Sequence, residues 1–411
     1  MAMSGALMLA PLAVGLTACG EDTDPLSSAP YDAGEHVSVK ATADGGAVDP
    51  RKPLEVTTSG SEDKLADVTA KDAVGRYVAG ELSADGTRWR STGPLTAGAH
   101  YTVQVSTENG DGEPGRRTLD FTTKPVDSKK LSVTFGPDAG TYGVGQPVTA
   151  ELSHKVKDPE QRQRVEGALS VTSHPEVEGS WHWVDDKELH YRPRAYWPAH
   201  ASVTVSSDLK GVKVRDGLYG GATKPLKLRT GDRVEAIADA SAHQMKVKKN
   251  GRTINTMPIT TGKAGFRTRH GTKVILGMES FVRMRGTSVG IAEGSSESYD
   301  LPVRWATRLT WSGEYVHGAP WSVGSQGASN VSHGCTGLST GNASWFFHHV
   351  RPGDLVTHVN TQGEKMPTFG NGFGDWNMGW DEWREGSALE SGSGEREEGG
   401  PAGQARLRPQ V

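Results

Sequence analysis

Residues 332–339 read Ser332-His333-Gly334-Cys335-Thr336-Gly337-Leu338-Ser339. A thiol stands there in a glycine-flanked stretch, two positions after a histidine, in a chain with one other cysteine, Cys19. A thiol attacks a carbonyl as the thiolate, and at an ordinary pKa of roughly 8.5 little of it is ionised at neutral pH, so a base must serve it. His333 is close in sequence, but on an extended strand residues two apart sit roughly 6–7 Å from one another. His317 stands eighteen residues upstream of Cys335, and the intervening segment carries Pro, Gly, Ser and Asn and can fold it back over the thiol. His317 is therefore the candidate base and His333 its structural support. Gly334 permits a tight turn and a close approach of backbone to a substrate carbonyl, so that N–H groups near Cys335 can form an oxyanion hole.

The chain around this stretch has 411 residues, too many for one ordinary core. Charged residues make up 23% and hydrophobic residues 35%, with 53 Gly and 22 Pro, a composition that favours a soluble, β-rich, multi-domain protein. The net charge is −4 and no long Lys/Arg stripe is present, so no nucleic-acid partner is expected. An apolar run from Ala6 to Leu16, broken by Pro11 and Gly15, is short for a bilayer span and fits a secretory signal. Its ending, Leu16-Thr17-Ala18-Cys19-Gly20, resembles a bacterial lipobox, although no Lys or Arg precedes the run. That resemblance implies a signal peptide over 1–19, acylation of Cys19 and a lipid anchor. Cys335 is then the single free thiol of the mature chain, with no disulfide partner.

Residues 20–35, acidic with Ser and Pro, read as a flexible tether. Short alternating stretches follow, separated by Gly, Asp and Pro turns, among them Tyr101–Val105, Leu119–Thr122, Leu131–Phe135 and Ala201–Val205. They predict a mostly β molecule with two tandem immunoglobulin-like sandwiches, at 36–126 and 127–231, acting as spacers. Residues 232–360 predict a third, β-rich domain. In it Lys249-Asn250-Gly251-Arg252 reads as a type I′ turn and Gly341–Val350 as a short helix starting near Ser339 or Asn342. The Trp-rich stretch in 361–385 is expected to pack back onto that domain, and 386–411 to be disordered. Lys246–Lys249 reads as a solvated strand and turn, and His348-His349 as a solvated or capping pair.

Tyr299, His317 and Cys335 follow at intervals of eighteen, the last within Ser332-His333-Gly334-Cys335. This pattern resembles the L,D-transpeptidase (YkuD) family. Ala319-Pro320-Trp321-Ser322, Asn330-Val331-Ser332 and Gly374-Asp375-Trp376 extend the likeness to mycobacterial-type members with two immunoglobulin-like domains, over about residues 36–385. The resemblance implies a peptidoglycan transpeptidase in which Cys335 is acylated, His317 is its base and a backbone carbonyl, that of Gly318, orients the imidazole. His333, Gly334 and Ser332 then shape the loop, with Ser339 holding it. Tyr299, Met284, Trp321 and Thr336 join Ser332 and Gly318 as candidate substrate contacts. It also implies stem peptides as donor and acceptor, carbapenems as covalent inhibitors, no cofactor, and a site on the outer face of the cell membrane. The family often carries Asn two residues after the cysteine; here that residue is Gly337.

Other readings remain at this stage. His317, His333 and Cys335 could be structural. They could ligate zinc, being suitable ligand types, though no carboxylate at helical spacing supplies a base. Water as acceptor would give an L,D-carboxypeptidase, and loss of catalysis a cell-wall-binding lipoprotein.

Overall fold

Strand propensity and period-two burial dominate the computed structural model, which describes residues 30–39, 47–289 and 291–390. Cys19 and the predicted signal lie outside them. In His100–Glu108, for example, Tyr101, Val103 and Val105 point inward while His100, Gln104 and Glu108 face solvent. That strand sits in a sheet ordered Tyr31–Asp32, Pro114–Thr122, His100–Glu108, Lys64–Asp72, packed on a second of Val37–Val39, Glu55–Thr58, Arg88–Ser91 and Gly80–Leu82. Leu54, Val56, Trp89 and Leu95 fill the space between. The first strand already begins inside the segment expected to be a tether. Tyr31 Oη lies 3.0 Å from Thr107 Oγ1 and Ala33 is fully buried, so an aromatic anchor places Tyr31–Ala33 in the first sandwich.

The second sandwich repeats the plan. One sheet runs Val133–Gly136, Val148–Leu152, Glu188–Pro193, Gly179–Trp183, and the other Gly140–Tyr142, Leu226–Thr230, Ser202–Ser207, Leu169–His174. It also holds a helix that the strand pattern did not lead one to expect, Pro159–Glu166. Asp158 caps it by accepting from the Gln161 N–H at 3.0 Å, Pro159 opens it and Gly167 closes it.

The third domain has two sheets. Five strands run Arg252–Pro258, Gln244–Lys249, Val234–Asp239, Leu355–Val359, Gly271–Val274, and four run Gly277–Arg285, Asp300–Arg308, Tyr315–Gly318, Thr336–Leu338. Asn250 and Gly251 take positive φ, 48° and 81°, as a type I′ turn requires. The helix Thr340–His349 is capped by Ser339, whose Oγ accepts from Asn342 N at 3.2 Å, and buries Ala343 and Phe346. His348 and His349 each bond a carbonyl four residues back, at 2.7 Å, and cap its last turn.

The C-terminal segment corrects one expectation. Its first half lies along the third domain, where Met366 N bonds His270 O and Asn377 Oδ1 accepts from Thr272 N. The tryptophans then cross to the second sandwich. Trp376 Nε1 donates to Gly145 O at 2.8 Å and Trp383 Nε1 to Ser180 O at 3.0 Å. The Arg192 guanidinium lies 4.5–5.5 Å from the ring centroids of Trp376, Trp380 and Trp383. His190 pairs with the fully buried Asp375 at 2.7 Å. Aromatic rings with one polar edge suit such a joint, because an indole N–H needs a partner once buried. Order continues into the predicted tail: Ser387 Oγ and Ala388 N both donate to Glu166.

Trp383→Ala removes a fully buried ring and should lower the stability of the second sandwich by about 3–5 kcal/mol. Calorimetry should show its transition falling while that of the first sandwich stays in place; an unchanged trace would mean that the extension does not brace the sandwich.

Candidate active site

The strands Tyr315–Gly318 and Thr336–Leu338 pair in parallel, with Val316 opposite Thr336 and His317 opposite Gly337. A parallel pair needs a long crossover, here the loop containing Ala319–Ser332, and this connection sets His317 beside Gly337, two residues after Cys335. The loop is fastened by Asn330, whose Oδ1 accepts from Thr261 N and Oγ1 and whose Nδ2 donates to Ala240 O. Cys335 and His317 line one cavity of about 270 Å³ with Met284, Tyr299, Trp321, Ser332, His333 and Gly337.

Within the motif each side chain has a distinct task. Ser332 Oγ donates to Cys335 O at 2.6 Å and accepts from Gly334 N at 3.2 Å, closing the turn. Gly334 has φ 120°, which an L side chain adopts only under strain, and Thr268 Oγ1 donates to its carbonyl at 2.8 Å. Gly337 exchanges two backbone hydrogen bonds with Thr260. A Cβ at residue 337 would come within 2.9 Å of Thr260 Cγ2 and 3.1 Å of Ala319 Cβ, so the smaller residue fits a tight wall.

His317 Nδ1 lies 2.9 Å from Gly318 O. A carbonyl only accepts, so Nδ1 carries the hydrogen and Nε2 is left as the basic nitrogen. Burial pushes the His317 pKa down against that hydrogen bond, keeping the imidazole neutral. The Cys335 thiol is pushed up to about 12, by burial first; the Tyr315 N–H opposes this, Glu314 adds to it and Lys273 opposes it. Its Sγ–H donates to Gly313 O at 3.5 Å. The resting pair is thus neutral thiol and neutral imidazole. Such a pair suits proton transfer during attack on a carbonyl.

Two of the sequence candidates sit elsewhere. Thr336, expected at the substrate, is 1% exposed and bonds His358 Nε2 at 2.7 Å, because strand alternation turns it away from the cavity. Gly318 likewise contributes its carbonyl to His317 and does not line the cavity. His333 turns to Glu297, Nε2 to Oε2 2.6 Å, and packs against Phe266 and Tyr299. Among the described residues no cluster of three or more His, Cys, Asp or Glu is arranged to hold a metal ion.

Sequence reasoning missed a buried polar layer behind the thiol. Lys273 is fully buried; its Nζ donates to Arg269 O at 2.8 Å and to His358 Nδ1 at 3.3 Å, and pairs with Glu314 at 2.8 Å. His358 then carries its hydrogen on Nε2 and donates to Thr336. Burial, then Lys273, hold the His358 pKa well below its usual value. A lysine in Thr272-Lys273-Val274 reads as an outward strand position, and only the fold shows that both faces of that strand are covered.

Comparison with known proteins decides the family. The L,D-transpeptidase catalytic domain model matches residues 233–357, and a bacterial Ig domain model matches residues 45–213. L,D-transpeptidase 2 of Mycobacterium tuberculosis is 34% identical over 390 residues, covering 93% of this chain and 94% of that protein. The chain belongs to the L,D-transpeptidase family. L,D-transpeptidase 5 of the same organism is 33% identical over 78% of this chain and 70% of its own length. A solved L,D-transpeptidase in complex with imipenem is 34% identical and covers 57% of this chain and 100% of that one, with a TM-score of 0.49. The molecule is a mostly β enzyme with an Ig-like region ahead of its transpeptidase domain.

Because the thiol pKa in this transpeptidase is raised, alkylation of Cys335 by iodoacetamide should be slow at pH 7 and climb with pH through 9 and beyond, toward about 12. A rate that is already flat below pH 7 would reveal a preformed thiolate–imidazolium pair instead.

Proposed function

We propose that this L,D-transpeptidase forms 3→3 peptidoglycan cross-links by a ping-pong reaction at Cys335, with His317 as its base. The observation that carries the reading is the shared cavity of Cys335 and an imidazole whose Nδ1 is committed to Gly318 O. Sγ attacks the carbonyl of the third residue of a tetrapeptide stem while His317 Nε2 takes the thiol proton. Backbone N–H groups around Cys335 stabilise the oxyanion. The proton then passes from His317 to the departing nitrogen, the C–N bond breaks, and the terminal D-alanine leaves a thioester. The side-chain amine of the third residue of another stem attacks next; His317 takes its proton and returns it to sulfur.

Met284, Leu301 and Val303 give the cavity an apolar wall suited to the stem, and Tyr299 and Trp321 add aromatic rings to its lining. The thiol that performs this chemistry is also the group a carbapenem acylates, by opening of the β-lactam on sulfur. Leu16-Thr17-Ala18-Cys19 supports export and lipid attachment at Cys19, which would hold the two sandwiches as a spacer between membrane and wall.

The wild type should convert purified muropeptides into dimers joined between third residues, identified by mass spectrometry. Cys335→Ala should form none, and His317→Ala should slow acylation at neutral pH by at least about a hundredfold. Cross-linking by Cys335→Ala would overturn the mechanism; a near-normal rate in His317→Ala would move the base elsewhere.

A further inference from the structure

Glu297 sits on the loop between the strands Gly277–Arg285 and Asp300–Arg308, two residues before Tyr299. Its Oε2 accepts from Lys263 Nζ at 2.5 Å and from His333 Nε2 at 2.6 Å. Phe266 supports both donors: its ring centroid is 5.6 Å from the Lys263 ammonium and 4.7 Å from the His333 ring. The Lys263 backbone is fixed too, its N–H donating to Ser332 O at 2.9 Å. Two donors from separate, anchored segments thus converge on one carboxylate beside the motif. The hydrogen bonds from Lys263 and then His333 hold the Glu297 carboxyl below its ordinary range, so it is present as the anion.

The location matches a group of the substrate. The residue expelled in the proposed reaction carries a free carboxylate one residue beyond the scissile carbonyl. Its carboxylate carbon lies roughly 4 Å from the scissile carbon, by standard backbone dimensions. His333, two residues from the nucleophile across the Gly334 turn, lines the same cavity as Cys335. A donor whose carbonyl meets Sγ in that cavity therefore points its terminal carboxylate toward His333 and toward Lys263, which shares Glu297 Oε2 with it.

We propose that Lys263 and His333 form a carboxylate subsite for the terminal residue of the donor, and that Glu297 fills this subsite when no donor is bound. The inference rests on the transpeptidase reading and adds what that reading leaves open, namely how the donor end is recognised. Glu297 acts as an internal competitor, so a neutral group has nothing to gain by displacing it. A peptide ending in a carboxamide is accordingly a poor donor.

The test uses the whole chain and two peptides, a stem tetrapeptide with a free C-terminal carboxylate and the same peptide as its C-terminal carboxamide. The rate of terminal-residue release gives kcat/KM for each. The wild type should favour the carboxylate by at least about tenfold. Lys263→Met should bring the ratio to within about twofold of one, through KM, since the ammonium is the formal charge of the subsite. Glu297→Gln should lower KM for the carboxylate peptide and widen the ratio. Alkylation of Cys335 by iodoacetamide at the wild-type rate shows in each variant that the site is folded. A wild-type ratio near one, or a Lys263→Met ratio equal to that of the wild type, overturns the subsite while leaving the transpeptidase reading standing. If a folded wild type turns over neither peptide, the transpeptidase reading fails and the subsite falls with it.

Discussion

The parallel pairing of Tyr315–Gly318 with Thr336–Leu338 is the constraint on which this active site depends. One register, Val316 to Thr336 and His317 to Gly337, places His317, the proposed base, near Cys335, the proposed nucleophile. A slip of one residue would send His317 to the opposite face of its strand. Much of the surrounding detail protects that register. Asn330 ties down the crossover, Thr260 brackets Gly337 by two backbone bonds, and Ser332 closes the turn that carries Cys335. The buried Lys273, Glu314 and His358 layer joins both strands from behind, through Glu314 next to Tyr315 and Thr336 next to Cys335.

That layer is costly. Burial of charged groups is offset only where pairs and hydrogen bonds are complete, and here Lys273 reaches a carboxylate, a carbonyl and an imidazole. Its influence on the thiol is balanced, because Glu314 raises the Cys335 pKa while Lys273 lowers it. Burial, the larger cause, therefore decides that the thiol rests protonated. This has a physical benefit, since oxidation of cysteine proceeds through the thiolate. Reactivity then waits for a carbonyl to arrive, when sulfur and His317 can exchange the proton in the same step as attack.

Much of this was legible in the sequence, for reasons that differ by residue. Alternation in Tyr101–Val105 and Ala201–Val205 announced the sandwiches, because a half-buried strand writes its faces into the chain. That His317 and Cys335 share one cavity was legible because thiol chemistry calls for those residue types, and Gly334 because its φ tolerates little else. Lys273 and Glu297 were not legible. A single charged residue looks the same whether solvent or a buried partner receives it, and partners more than thirty residues away are supplied only by the fold. Thr336 was misplaced for a related reason: adjacency to the nucleophile suggested substrate contact, whereas strand geometry turns it inward. The tryptophans of the C-terminal segment were read as packing, but which domain received them depended on Arg192 and His190, residues with no sequence signature of that role.

The central claim is that Cys335 carries the acyl group. It is tested most directly by intact-protein and peptide mass spectrometry after rapid mixing with a tetrapeptide donor in the absence of acceptor. The account predicts a transient adduct equal to the donor less its terminal residue, on the tryptic peptide containing Cys335 and labile to hydroxylamine as a thioester is. Turnover without any adduct on Cys335, or turnover that persists after Cys335 is fully alkylated, would contradict it.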